Sequence, residues 1–199
     1  MQGIIPAVQR VAVIDMGSNS WRLVVFGYDP ERRWWALVDE IREAVRIAAG
    51  LGEHGELQPE RVDRALHTAA VFSSFCRATG VTDVVPVATS AIRDATNGEA
   101  LLREVRASTG LDPRVISGSE EARYGWLAMA NSTTIEDGFG LDIGGGSIQA
   151  LRIAGRRLAG AQSLPLGAVR TSERFLPGEK ASSKELKALR QHVAGELAE

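Results

Sequence analysis

In the stretch FGLDIGGGSIQAL (residues 139–151), two apolar runs are separated by a carboxylate, Asp142, three glycines, Gly144, Gly145 and Gly146, and a hydroxyl, Ser147. Glycine lets backbone N–H groups approach an anion closely, and successive N–H groups form an anion-binding nest. A serine beside them adds a donor. An aspartate repels phosphate unless a divalent cation such as Mg²⁺ joins the two, directly or through water. A plain tight turn would use the same residues, and for one such hairpin that is the better reading. A second hairpin changes the weighing. VAVIDMGSNSWRLVV (residues 11–25) places Asp15, Gly17 and Ser20 in the order of Asp142, Gly144 and Ser147, and the offset is 142 − 15 = 127 for all three. A repeat of domain size indicates a duplicated lobe rather than a solenoid unit. Two such turns, one opening each lobe, are expected to face each other over one cleft as phosphate loops: Gly17, Ser18, Asn19 and Ser20 in the first, Gly144 to Ser147 in the second.

The elements that must carry these loops follow from the hydrophobic pattern. Val11–Asp15 and Trp21–Tyr28 read as strands around the first turn, and Arg32–Ile47 as a third strand. AAGLGEHGEL (residues 48–57) reads as a Gly-rich loop. Pro59–Thr79 has apolar residues at helical spacing behind an early proline, so it reads as a helix. Asp83–Ala88 is an expected strand, in which Pro86 needs a tolerant position. Helix is expected to open at Ala91–Asp94 and to continue through Gly98–Thr109. Pro113–Ile116 reads as a strand and Glu120–Asn131 as a helix. Strands then flank the second glycine loop, followed by a strand LAGAQSLPL, a helix GAVRTSERFL and a polar amphipathic helix Ser182–Ala198. Alternation of this kind indicates an α/β sheet covered by helices.

Composition bounds the function classes. The chain has 199 residues, 44% hydrophobic and 24% charged, with a net charge of −2, which is ordinary for a globular protein. That charge argues against a bulk nucleic-acid binder. No apolar run approaches the roughly 20 residues that span a bilayer, and Met1–Arg10 lacks the pattern of a signal peptide; a cytoplasmic protein is expected. The single cysteine, Cys76, excludes an intramolecular disulfide and reads as buried packing. Lys180, Lys184 and Lys187 are the only lysines, which excludes a P-loop, whose glycines are followed by lysine. His54, His67 and His192 have no metal-ligand spacing. Trp34 and Trp35, on a strand, would put one ring on each face of the sheet, as core plus interface.

The paired DMGSNS and DIGGGS loops resemble the actin/Hsp70/sugar-kinase superfamily. ATSAIRDATN (residues 88–97), ISGSEEARYGWLA (residues 116–128) and LPLGAVRTSERF (residues 164–175) narrow the resemblance to the exopolyphosphatase/guanosine pentaphosphate phosphohydrolase (Ppx/GppA) family. The resemblance runs from about Val11 to the C-terminus. It implies an α/β fold of duplicated ribonuclease-H-like lobes with mixed sheets and flanking helices. The first lobe is expected over residues 8–125 and the start of a second, incomplete lobe over 126–199, because two lobes of about 150 residues each need roughly 300. An unfinished lobe leaves sheet edge and apolar surface open, which favours association as a homodimer.

The implied activity is Mg²⁺-dependent hydrolysis of the terminal phosphoanhydride of inorganic polyphosphate or of the 5′ γ-phosphate of guanosine pentaphosphate. By motif, Glu121 matches the catalytic glutamate, Asp142 the metal- or water-associated aspartate and Arg93 a phosphate-contacting arginine. Asp15, Asp142 and Glu121 are the implied metal ligands. The chemistry is consistent: phosphoryl transfer to water needs a positioned nucleophile and charge neutralisation. Glu121 also has a purely structural reading, since acidic residues suit a helix N-terminus and Ser117 with Glu120 has capping-box spacing. Glu120 and Arg123 stay open between structure and site. One position departs from the family pattern: Gln149 stands where a glutamate is usual, and a neutral amide brings no charge to a metal. A non-catalytic polyphosphate or guanosine nucleotide sensor, and an actin-like ATPase or sugar kinase, are the competing readings.

Overall fold

Two sheets carry the two hairpins. In the computed structural model, which describes residues 8–51 and 55–198, β1 (Gln9–Met16) and β2 (Trp21–Asp29) pair antiparallel and close on Met16 opposite Trp21. β3 (Trp34–Glu43) adds antiparallel to β2. β4 (Asp83–Ala88) and β5 (Arg114–Val115) then pair parallel on the other side of β1, giving the order β3-β2-β1-β4-β5. The crossovers are helices: α1 (Pro59–Thr79), α2 (Ser90–Asp94) and α3 (Gly98–Thr109). Pro59 at the first turn of α1 sacrifices no hydrogen bond, and Gly80 ends the helix in the left-handed conformation at φ 68°, which costs glycine nothing.

Alternation along β1 decides which face is core. Ala12, Ile14 and Met16 are buried with Trp21, Leu23 and Val25 of β2 against Ala65, Ala69 and Phe72 of α1 and Leu101, Leu102 and Val105 of α3. Cys76 packs in the same core. Val13 and Asp15 point to the opposite face, which lines the cleft.

The chain crosses to the second sheet after β5. Helix α4 (Gly118–Ser132) packs against β6 (Gly138–Ile143), β7 (Ile148–Ala154) and β8 (Arg157–Leu164), an antiparallel meander in the order β6-β7-β8. Residue 125, at which the sequence pattern divides the chain, lies inside this helix. α5 (Ala168–Phe175) and α6 (Ser183–Glu196) complete the described elements. The second meander copies the first in register. Its loop closes on Ile143 opposite Ile148, as Met16 closes on Trp21. The register shift also repeats: it falls after Val25 of β2 and after Arg152 of β7, where Val38 of β3 and Ala159 of β8 bulge out of the pairing, and 152 − 25 = 127 is the offset of the loops themselves. The fold is α/β with duplicated lobes, as expected.

Three local expectations need correcting. The third strand ends at Glu43; Val45 and Ile47 turn into the core instead, because burial of those two side chains outweighs continuation along an edge. Trp34 and Trp35 are not core: they are 39% and 64% exposed, since β3 is an edge strand with little packed on either face, and Trp35 meets Phe26 edge-on at 5.6 Å. The helix foreseen from Ala91 onward is broken at Ala95, which is extended at ψ 136°. His54 lies outside the described residues. His67 is exposed on α1, and His192 stacks on Phe175 at 4.9 Å.

Candidate active site

The glycine loops meet. A cleft of about 990 Å³ between the lobes is lined by residues 17–20 of the first loop and 144–147 of the second, with Asp15, Glu121 and Asp142 on its walls. The contact is closest at Gly146, where a β-carbon would overlap the hydroxyls of Ser90 and Ser18. Those two hydroxyls bond each other at 3.0 Å. Only a glycine lets the second loop sit this deep against the first.

Both loops have their carbonyls tied behind them. Ser18 and Asn19 accept from the N–H groups of Ala48 and Arg46 at 3.0 and 2.7 Å. Gly144 accepts from Ala168, and Gly145 from Val169 and Arg170, at 2.9, 2.9 and 3.1 Å. The latter three N–H groups belong to the first turn of α5, which has no intrahelical acceptors of its own. The N–H groups of Ser18, Asn19, Gly145 and Gly146 make no hydrogen bond among the described residues. The cleft wall is therefore a pair of donor-rich turns, the arrangement that suits an anion.

Glu120 and Glu121 separate into two roles. Glu120 completes a capping box with Ser117 and pairs with Arg114 at 2.6 Å. The Ser117 N–H, followed by Arg114, holds its carboxyl down at about 2. Glu121, one residue on, turns into the cleft. Its Oε2 accepts from Arg93 Nη1 at 3.3 Å and its Oε1 from the Ser147 hydroxyl at 3.4 Å. Burial raises its pKa above the ordinary value, partly offset by Arg93. A carboxylate biased toward holding a proton is a suitable base.

Asp15 opens to the cleft but is walled in by both lobes. Desolvation, then the charge of Glu121, push its pKa up to about 6, with Asp142 adding and Arg22 opposing. Asp15, Glu121 and Asp142 thus repel one another across the cleft. Hard carboxylate oxygens in mutual repulsion are a donor set that fits a divalent cation. Among the described residues no three acidic, histidine or cysteine side chains converge into a ready-made cage.

Register places a row of charge across the sheet floor. Arg42, Arg22, Asp15, Val87 and Arg114 are successive cross-strand partners on β3, β2, β1, β4 and β5, and all line the cleft. Arg22 pairs with Glu40 at 2.6 Å and Arg42 donates to Ser20 at 3.3 Å. No motif in the sequence marks these three arginines. Arg22 could have been found, because a four-residue turn at 17–20 sets residue 22 opposite residue 15; Arg42 and Arg114 needed the full register. Arg93, the arginine singled out by motif, does not line the cleft. It donates to the Ile116 carbonyl at 2.9 Å and to Glu121, behind the carboxylate. Arg123 is exposed and lies outside the cleft lining.

Gln149 is 1% exposed. Its amide nitrogen donates to Ser147 at 2.9 Å and to Ser163 at 3.2 Å. It supports the loop serine from beneath.

Comparison with known proteins adds to this geometry. The model of the Ppx/GppA phosphatase family matches residues 6–199. The chain is 31% identical over 193 residues to Exopolyphosphatase 1 of Mycobacterium tuberculosis, covering 96% of this chain and 56% of that protein. It therefore spans little more than half the length of the curated relatives it matches. A solved Ppx/GppA protein of Aquifex aeolicus is 30% identical with a TM-score of 0.75, over 96% of this chain and 62% of that one. A crystal structure of an exopolyphosphatase from Cytophaga hutchinsonii is 26% identical with a TM-score of 0.86, over 95% and 61%.

Proposed function

The chain belongs to the Ppx/GppA phosphatase family, and from that premise we propose that its cleft hydrolyses the terminal phosphoanhydride of inorganic polyphosphate or the 5′ γ-phosphate of guanosine pentaphosphate. The observation that carries the reading is the position of Glu121, a half-buried carboxylate between two donor-rich glycine loops. In this reading the terminal phosphoryl group lies between the loops. The N–H groups of Ser18, Asn19, Gly145 and Gly146 and the hydroxyl of Ser20 bind its oxygens, while the Ser147 hydroxyl stays on Glu121. Glu121 orients a water in line with the bridging bond and takes its proton as the water oxygen bonds to phosphorus. The bridging P–O bond breaks and its electron pair leaves with the shortened chain. Asp15 and Asp142 would hold Mg²⁺, which supplies neutralisation of the phosphate charge; Glu121, whose two oxygens already accept hydrogen bonds, is left to the water. Arg22, Arg42 and Arg114 offer guanidinium groups to the charges beyond the reacting one.

The test is release of inorganic phosphate from long-chain polyphosphate and from guanosine pentaphosphate, with Mg²⁺ and with chelator. Cation-dependent release from at least one of them is expected. Binding of both without release would instead favour a sensor.

A further inference from the structure

Glu121 is held from the opposite lobe through a chain of alternating charge. Arg93 Nη1 reaches Glu121 Oε2 at 3.3 Å, and Arg93 Nε faces Asp94 Oδ1 at 3.5 Å. The other oxygen of Asp94, Oδ2, takes Nη2 of Arg170. Glu121 and Arg170 belong to elements of the second lobe, α4 and α5; Arg93 and Asp94 belong to α2 of the first. Arg170 has a second task in the same place, since its backbone N–H donates to Gly145 in the second glycine loop at 3.1 Å. One residue therefore shapes a phosphate loop with its main chain and reaches the support of the catalytic carboxylate with its side chain.

We propose that Asp94 and Arg170 are positioning residues, which hold Glu121 in register with the second glycine loop through Arg93 and so make lobe docking and a competent carboxylate one event. The electrostatics require both. Without Arg170, Asp94 has one cation left to pair with and draws the Arg93 guanidinium toward itself, off Glu121. Without Asp94, the two guanidinium groups face each other with no anion between them and separate. Either loss frees Glu121 to leave the geometry that Ser147 marks at 3.4 Å on its other oxygen. The pairs are each partly exposed, from 18% to 37% by side chain, so their worth is in placement rather than in stability.

The kinetic part of the test rests on the hydrolase reading; a labelling measurement does not. Asp94→Asn and Arg170→Met are expected to lower kcat for phosphate release about 10- to 100-fold, with KM moving less than about 3-fold. Arg170→Lys should recover most of the loss, and the double variant should be no worse than the weaker single one, because the residues act as a unit. Independently of turnover, carbodiimide labelling of Glu121 should rise at least about 3-fold in both single variants, as expected of a carboxylate released from a charge-assisted pair. Labelling of Glu120, held by Ser117 and Arg114, should not change, and thermal midpoints should stay near that of the parent. Unchanged Glu121 labelling in folded variants would overturn the proposal. If the parent chain releases no phosphate, the hydrolase reading fails, and labelling still decides whether Asp94 and Arg170 hold Glu121.

Discussion

At the scale of single residues, the site depends on small side chains as much as on charged ones. Gly146 touches both Ser18 and Ser90, so Gly146→Ala should push the second loop out of the cleft. We expect a loss of about 1–3 kcal/mol in unfolding free energy from the overpacked contact, together with a larger loss of phosphate affinity; urea unfolding and phosphate-analogue titration would measure the two. The need for glycine there was legible, because three glycines in a row beside an aspartate mark a backbone built for close approach. The partner was not: Ser90 lies 56 residues earlier in the sequence (146 − 90), and nothing local marks it. The same limit applies to Arg93. Its motif marked it out, but only the fold shows it standing behind Glu121, while register brings Arg22, Arg42 and Arg114 onto the floor.

At the scale of elements, α4 is the piece that aims Glu121, and its first turn can be tested directly. Ser117→Ala removes the oxygen that accepts from the Glu120 N–H at 3.2 Å, and should cost about 1 kcal/mol of stability. Glu120 contributes to the acid side of the pH dependence. Its carboxyl is lowered from 4.5 to about 2, so its contribution is complete above 4.5 and is lost as pH falls toward 2. Thermal melts across that window should show a shallower fall in Glu120→Gln than in the parent. The capping box was readable from S-x-x-E spacing, as were α1 and the strands around each loop, since periodicity and end signals are local. The end of β3 was not readable. Val45 and Ile47 are as β-prone as the residues before them, and only tertiary burial takes them out of the strand.

At the scale of the whole molecule, two copies of one hairpin have been set face to face, with three carboxylates between them. Their mutual repulsion opposes closure of the cleft, and a divalent cation relieves it. Mg²⁺ should therefore raise the thermal midpoint even without substrate, as binding to the native state must, and Asp15→Asn or Asp142→Asn should remove most of that rise. The duplication was visible in the sequence as a constant offset of 127 residues among three loop residues. What faced what was hidden, because the lobes join through α5 carrying loop 2, and such contacts leave no periodic trace.

The most direct measurement is the rate of phosphate release from polyphosphate by Glu121→Gln beside the parent chain, in Mg²⁺, with polyphosphate binding measured on both. A fall of about 10²- to 10⁴-fold in rate with binding retained is expected if Glu121 takes the proton of the attacking water. A variant that releases phosphate as fast as the parent would contradict that role and with it the reading of the cleft.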